Sequence, residues 1–221
     1  MLKSQFSEFE NAQDLLKVYK SAYEKAKYLK DFDEKILAFN EVITYCAASQ
    51  LCVEDDSKKR NQILFLAYNS IGDIFIEKNT IELQDENYIY ALQYFNNALE
   101  FLDSPESKKP ILEKIAFIYA ELSEEELRQK TLEQIALNEE DEMKRQAFML
   151  LANGTDDVKL QSKYLENALN YVTYENVSVW EKCKNTLDIC ARLLDIYEYS
   201  GEKSDYERIK ILQENTLALL N

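Results

Sequence analysis

Apolar residues recur at three- and four-residue spacing along almost the whole chain, in segments that stop at polar or small clusters. This pattern predicts ten helices, at about 8–30, 33–50, 58–78, 86–103, 108–122, 124–137, 141–153, 156–172, 177–200 and 203–220. The breaks between them carry turn and cap chemistry. In "DSPESKKP", Ser104 precedes Pro105 and Pro110, which read as a stop and restart because proline cannot donate inside a helix. In "NGTDD", Gly154 suits a helix C-cap, followed by Thr155 or Asp156 as the next N-cap. In "YSGEKSDYE", Gly201 does the same ahead of Ser204 and Glu207, which stand at capping-box spacing.

Composition supports an all-α fold, and the short connections between successive helices pair them off antiparallel. Three glycines and two prolines in 221 residues leave few turn formers, while 46% of the residues are hydrophobic. The net charge of −15 disfavours nucleic acid and anionic membranes as partners, since both would be repelled by most of the surface. The charge is uneven. Residues 1–60 carry 10 basic and 11 acidic side chains, so residues 61–221 carry 16 and 30, and the acidic body suits a basic partner. A single all-helical domain over 1–221 is expected, with a near-neutral first helix pair in 1–57 and an acidic repeat body in 58–221.

The amino terminus shows no signal-peptide pattern, and no apolar run reaches membrane-spanning length, so a cytoplasmic location is expected. The four cysteines, Cys46, Cys52, Cys183 and Cys190, form no C-x-x-C pair, and the chain has no histidine. No metal site or cofactor is expected from that set. Cys183 and Cys190 stand seven apart, on one face of a helix, as buried apolar residues would. The acidic runs at Glu54–Asp56 and Glu139–Glu142 read as solvated helix starts rather than cation sites.

The repeat signal is sharpest at 68–98. Tyr68, Ile71, Gly72 and Phe75 keep one spacing; Ala91 and Phe95 keep a second, with Ala98 one turn later. Small residues at these positions let two helices approach, and aromatics fill the space between pairs. The pattern resembles a tetratricopeptide repeat, in which the residue found at 91 would stand at 84, so seven residues are inserted. Seven residues are about two helical turns, which lengthen both helices without rotating their apolar faces. Asn79 to Asn87 is therefore expected as a protruding extension or loop.

Other segments fit the repeat more loosely: Ala22, Ala26, Leu29, Ala38 and Val42; Leu112, Ile115, Ala116 and Tyr119 with Leu132, Ile135 and Ala136; Phe148 and Met149 with Tyr164, Ala168 and Leu169; and Cys190, Leu193, Leu194 and Tyr197 with Gly201 and Tyr206. The resemblance implies a right-handed superhelix whose first helices line a concave groove that binds a peptide or helix. Taken in register with Gly72, that groove presents Tyr23, Lys27, Lys30, Asn69, Asp73, Glu113, Phe117, Gln146 and Leu150. The family's clamp for acidic chaperone tails uses Lys, Asn and Arg. Asn69 fits it, but Asp73 and Glu113 put negative charge where it needs amide or cation.

Catalytic chemistry is not expected. The commonest general base is missing, and there is no P-loop, G-x-G-x-x-G or G-x-S-x-G. A second resemblance concerns "RNQILFLAYNSIG" from Arg60 and "YERIKILQENTLALLN" from Tyr206, which are similar to 14-3-3 signatures. It implies a dimeric adaptor for phosphoserine or phosphothreonine peptides, with Arg60 and Arg145 as candidate phosphate contacts. The basic residues expected at 69, 73 and 74 are instead Asn69, Asp73 and Ile74, so any phosphopeptide binding would be weak or altered.

Overall fold

The computed structural model describes residues 12–49 and 54–220. These form ten α-helices: α1 (Ala12–Tyr28), α2 (Phe32–Ala48), α3 (Glu54–Glu82), α4 (Asp85–Leu99), α5 (Pro105–Glu121), α6 (Glu125–Asn138), α7 (Asp141–Asn153), α8 (Val158–Tyr171), α9 (Val179–Ser200) and α10 (Lys203–Ala218). A 3-10 turn, Val172–Tyr174, follows α8. Each corresponds to one of the ten segments read from the sequence. The start of the first expected helix, the end of the second and Cys52 lie outside the described residues.

Differences at the helix ends have local causes. Ser104 does cap α5, accepting from the Ser107 N–H at 3.3 Å, but Pro105 takes the first helical position and Pro110 lies inside the helix. The first turn has no intrahelical N–H bond to lose, so proline starts a helix readily; Pro110 sacrifices one bond without ending it. The N-cap of α8 is Asp157, which accepts from Lys159 and Leu160, rather than Thr155 or Asp156. Thr155 instead accepts from the Asp157 N–H at 3.2 Å. Ser204 sits within the first turn of α10 and forms no capping box. The capping box belongs to α9, where Ser178 and Glu181 bond each other's backbone N–H. Gly201 ends α9 in the left-handed region, φ 76°, where a residue without Cβ is least strained.

The chain divides into two compact units, residues 1–131 and 132–221. In the first, α1 packs on α2 and α3, α3 on α2 and α4, and α4 on α5. Their buried core includes Ala22, Ala26, Ala38, Phe39, Val42, Ile71, Phe75, Ala91, Phe95, Ile111 and Ile115. The repeat residues of α3 and α4 meet as expected: a Cβ on Gly72 would lie 2.6–2.8 Å from the ring atoms of Phe95, which is wholly buried. Only hydrogen fits there, and that contact sets how closely α3 approaches α4. The segment expected as an insertion is helical on both sides of a short break. α3 runs on to Glu82, the chain reverses through Leu83 and Gln84, and α4 starts at Asp85.

The second unit pairs α7 with α8 and α9 with α10, and packs α8 on α9. Its core holds Phe148, Ala152, Tyr164, Leu165, Ala168, Ile189, Cys190, Leu193, Tyr197 and Ile209. The expected α5/α6 pair is divided between cores: Ile111 and Ile115 of α5 fill the first, whereas Ala136 of α6 joins the second. Glu133 of α6 explains this attachment, since it accepts from the Tyr164 hydroxyl at 2.6 Å and from Lys163 at 2.9 Å, both on α8. No helix among the described residues is long and apolar enough to cross a membrane.

Cys46, Cys183 and Cys190 are buried and free. Burial pushes the Cys46 thiol up to about 11, against a smaller opposing pull from Arg60. Burial also pushes Cys190 up to about 11, with the Glu166 carboxylate adding to the effect. Both folded values exceed the ordinary thiol value of 9.0, so the unfolded chain loses these protons first and stability falls as pH rises between about 9 and 11. The peptides bearing Cys46 and Cys190 are expected to resist a thiol reagent at pH 8 until denaturant is added, as read by mass spectrometry. Rapid native labelling of either would contradict the packing described.

Candidate functional site

The sequence register points to the exposed side of the first helices, and in the first unit this surface carries a cleft of about 280 Å³. Tyr23 and Ala26 of α1, Lys35 and Phe39 of α2, and Ser70, Asp73, Ile74 and Glu77 of α3 line it. Helical period places Ser70, Asp73, Ile74 and Glu77 on one stripe of α3, and Tyr23 with Ala26 on one stripe of α1. Ala26, Phe39 and Ile74 form an apolar floor, all three buried. Tyr23 stands at the rim, 45% exposed, its ring edge-on to Phe39 with centroids 6.5 Å apart.

The polar wall is built from charges that reach between helices. Lys35 lies 3.3 Å from the Glu77 carboxylate, with its ammonium also 5.0 Å from the centre of the Phe32 ring. One residue along α3, Lys78 bonds Asp33 at 3.0 Å, so α2 and α3 exchange charges in both directions. The Asp33 bond holds the Lys78 ammonium above its usual value, against partial desolvation. Further along, Lys114 of α5 reaches Asp73 at 2.6 Å and the Asn69 carbonyl oxygen at 2.9 Å, while the Asn69 amide donates to Asp73 at 3.3 Å. The same ammonium sits 5.1 Å from the centre of the Phe95 ring.

The structure brings together only some of the expected groove residues. Tyr23 and Asp73 line the cleft, and Asn69 joins it to α5 through Lys114. Phe117 is exposed on α5 and meets the buried Tyr88 edge-on at 6.3 Å, and Glu113 is exposed on the same helix. Lys30 lies beyond the end of α1 in the turn before α2, so it is off the helical stripe; the Lys27 side chain lies outside the described residues. Gln146 and Leu150 are exposed on α7 in the second unit and are not lining residues of this cleft.

Lys35, Ser70, Glu77 and Lys114 were not singled out by register. Glu77 was legible, because it follows Asp73 by one turn. Lys114 neighbours the expected Glu113, and its long stem carries charge back onto α3 where a stripe drawn through Cβ positions misses it.

Of the two candidate phosphate contacts, Arg145 is held by a carboxylate. Arg145 places its Nε 2.7 Å from Glu175, off the line of a good hydrogen bond, and the Glu175 side chain is 5% exposed. Asn185 donates to the other carboxylate oxygen at 2.9 Å. Arg60 is half-buried on α3, its Nε buried without a hydrogen-bond partner among the described residues, and it lies close enough to Cys46 to oppose the rise of its thiol.

No family model matches the chain, and no curated protein matches it. Solved structures similar to it include a variant of TPR-like repeats from a Podosopora anserina protein assigned as a kinesin light chain, at 13% identity and TM-score 0.42, covering 95% of this chain and 97% of that one. BtubC (BKLC) from P. vanneervenii is similar at 13% identity and TM-score 0.40, covering 96% of this chain and 91% of that one. The 14-3-3 resemblance is unsupported by these matches.

Proposed function

We propose that this chain is a non-catalytic protein-interaction scaffold whose first unit holds a peptide or short helix in the cleft between α1, α2 and α3. The observation that carries this reading is the pairing of an apolar floor, Ala26, Phe39 and Ile74, with a wall of ion pairs that a ligand can exchange. An apolar side chain of the partner fills the floor against Tyr23, the usual form of a binding anchor. The ion pairs are partly exposed, with 55% of the Glu77 side chain and 46% of Asp73 open to water. Such pairs hold by about 0–1 kcal/mol, so a competing ligand charge displaces either partner at small expense.

The partner is basic. Residues 61–221 carry 30 acidic against 16 basic side chains, and that field draws cations towards the surface while repelling polyanions. Glu77 and Asp73 then accept Lys or Arg of the ligand in place of Lys35 and Lys114. Peptides selected from a random displayed library against the whole protein are expected to combine a large apolar residue with nearby Lys or Arg. Tyr23→Ser and Glu77→Lys should each lower their affinity by about tenfold or more while leaving the helical circular dichroism unchanged. Unchanged affinity in both variants contradicts the reading.

A further inference from the structure

The reversal between α3 and α4 breaks three local rules at once. Leu83 has φ 51°, the left-handed region that a branched-chain side chain normally avoids. Ile81 and Leu83, at the end of α3 and in the reversal, are 68% and 80% exposed. Two asparagines beneath them, Asn79 and Asn87, are 5% and 4% exposed where apolar residues ordinarily sit.

The asparagines explain how the reversal is held. The Asn79 side-chain oxygen accepts from the Gln84 N–H at 2.9 Å, and its backbone oxygen accepts from the Leu83 N–H at 2.9 Å. From the other side, the Asn87 amide donates to Glu82 at 3.2 Å, and the Asn87 N–H bonds the Gln84 oxygen at 2.9 Å. The turn is therefore fixed through buried polar groups, and the strained Leu83 is held rather than relaxed. Asn or Gly at position 83 would remove both the strain and the exposed apolar surface, so neither local stability nor solubility accounts for leucine there.

We propose that this reversal is a preformed interaction surface, separate from the cleft, which inserts Leu83 and Ile81 into an apolar and basic face of a protein partner. Charge selects the partner: Asp85 and Glu86 follow the two apolar residues and are exposed, and no basic residue lies between Thr80 and Ala91. Glu82 is engaged by Asn87 and by Lys78, 4.0 Å away, so Asp85 and Glu86 supply the outward charge. Lysines or arginines rimming an apolar groove complement that arrangement, whereas an acidic rim is repelled. Preorganisation removes the entropy cost of ordering the turn on binding.

The test uses whole protein carrying Tyr23→Ser, so that cleft occupancy does not enter, with a fluorescently labelled amphipathic helical peptide of Leu and Lys and its Leu and Glu counterpart. The Leu/Lys peptide is expected to bind in fluorescence anisotropy, to weaken with added salt, and to slow hydrogen exchange at residues 79–87; the Leu/Glu peptide is expected not to bind. Adding Leu83→Asn should weaken binding by about tenfold or more while the melting temperature stays the same or rises. Binding that survives Leu83→Asn, exchange that slows elsewhere, absence of binding, or a melting temperature lowered by Leu83→Asn each overturns the proposal. The cleft reading stands or falls separately, on the selected peptides.

Discussion

Phe95→Ala is expected to lower the unfolding free energy of the first unit by about 3–5 kcal/mol, the scale of removing a wholly buried aromatic ring. Phe95 is 0% exposed, its ring touches the only position on α3 without a Cβ, and the Lys114 ammonium rests over its face. Deleting it opens a cavity between α3 and α4 and strips Lys114 of a favourable neighbour beside the cleft. Gly72→Ala is the complementary test. An alanine in a helix interior ordinarily gains about 0.5–1 kcal/mol over glycine, but the added Cβ would meet the Phe95 ring at 2.6–2.8 Å. Overpacking of this kind costs about 1–3 kcal/mol, so a net loss is expected. Combining Gly72→Ala with Phe95→Leu should cost less than the two single losses added together, because the smaller side chain accepts the new methyl. Urea unfolding followed by circular dichroism measures the four variants against wild type, and a Gly72→Ala protein more stable than wild type contradicts the close approach.

The second large effect lies in the other unit. Glu175→Ala is expected to destabilise it by about 3–5 kcal/mol, because Arg145, whose side chain is 16% exposed, is left without the counter-charge beside it. Asn185 also loses the oxygen that accepts its amide hydrogen. Replacing both members with apolar residues of similar volume, Arg145→Met with Glu175→Leu, should recover most of the loss, since the desolvated charge disappears with its partner. The two units can unfold in separate steps, so hydrogen exchange at α7 and α9 reports this change more directly than a single melting temperature. A Glu175→Ala protein with unaltered exchange in α7 shows that Arg145 finds water instead.

The helices were legible because their apolar period is regular and their caps are mostly local. Gly72, Ala91 and Phe95 were legible because the packing they make requires small and aromatic residues at fixed spacing. The seven extra residues between Gly72 and Ala91 were expected to lengthen both helices; α3 does run long, 29 residues to Glu82, whereas α4 has 15 residues, fewer than the 17 of α2 or α5. The cap at Asp157 differed by one residue from the expected Asp156, since adjacent acids offer the same chemistry and only backbone geometry chooses between them.

The candidate site was less legible. Tyr23 and Asp73 follow from register, but Lys35 and Lys114 enter it from α2 and α5 by side-chain reach across helix contacts. Arg145 stood in a phosphate-like context in the sequence and is claimed by Glu175, a residue 30 positions on that no helical period connects to it. Asn79 and Asn87 read as ordinary polar turn residues; their burial depends on how the end of α3 meets the start of α4.

The measurement that tests the interaction-scaffold account most directly is hydrogen exchange of the whole protein with and without a library-selected peptide. The account predicts slowed exchange in α1 around Tyr23 and Ala26 and in α3 from Ser70 to Glu77, lost when Tyr23→Ser is introduced. Selected peptides that slow exchange away from these segments, or a library from which none is enriched above background, contradict it.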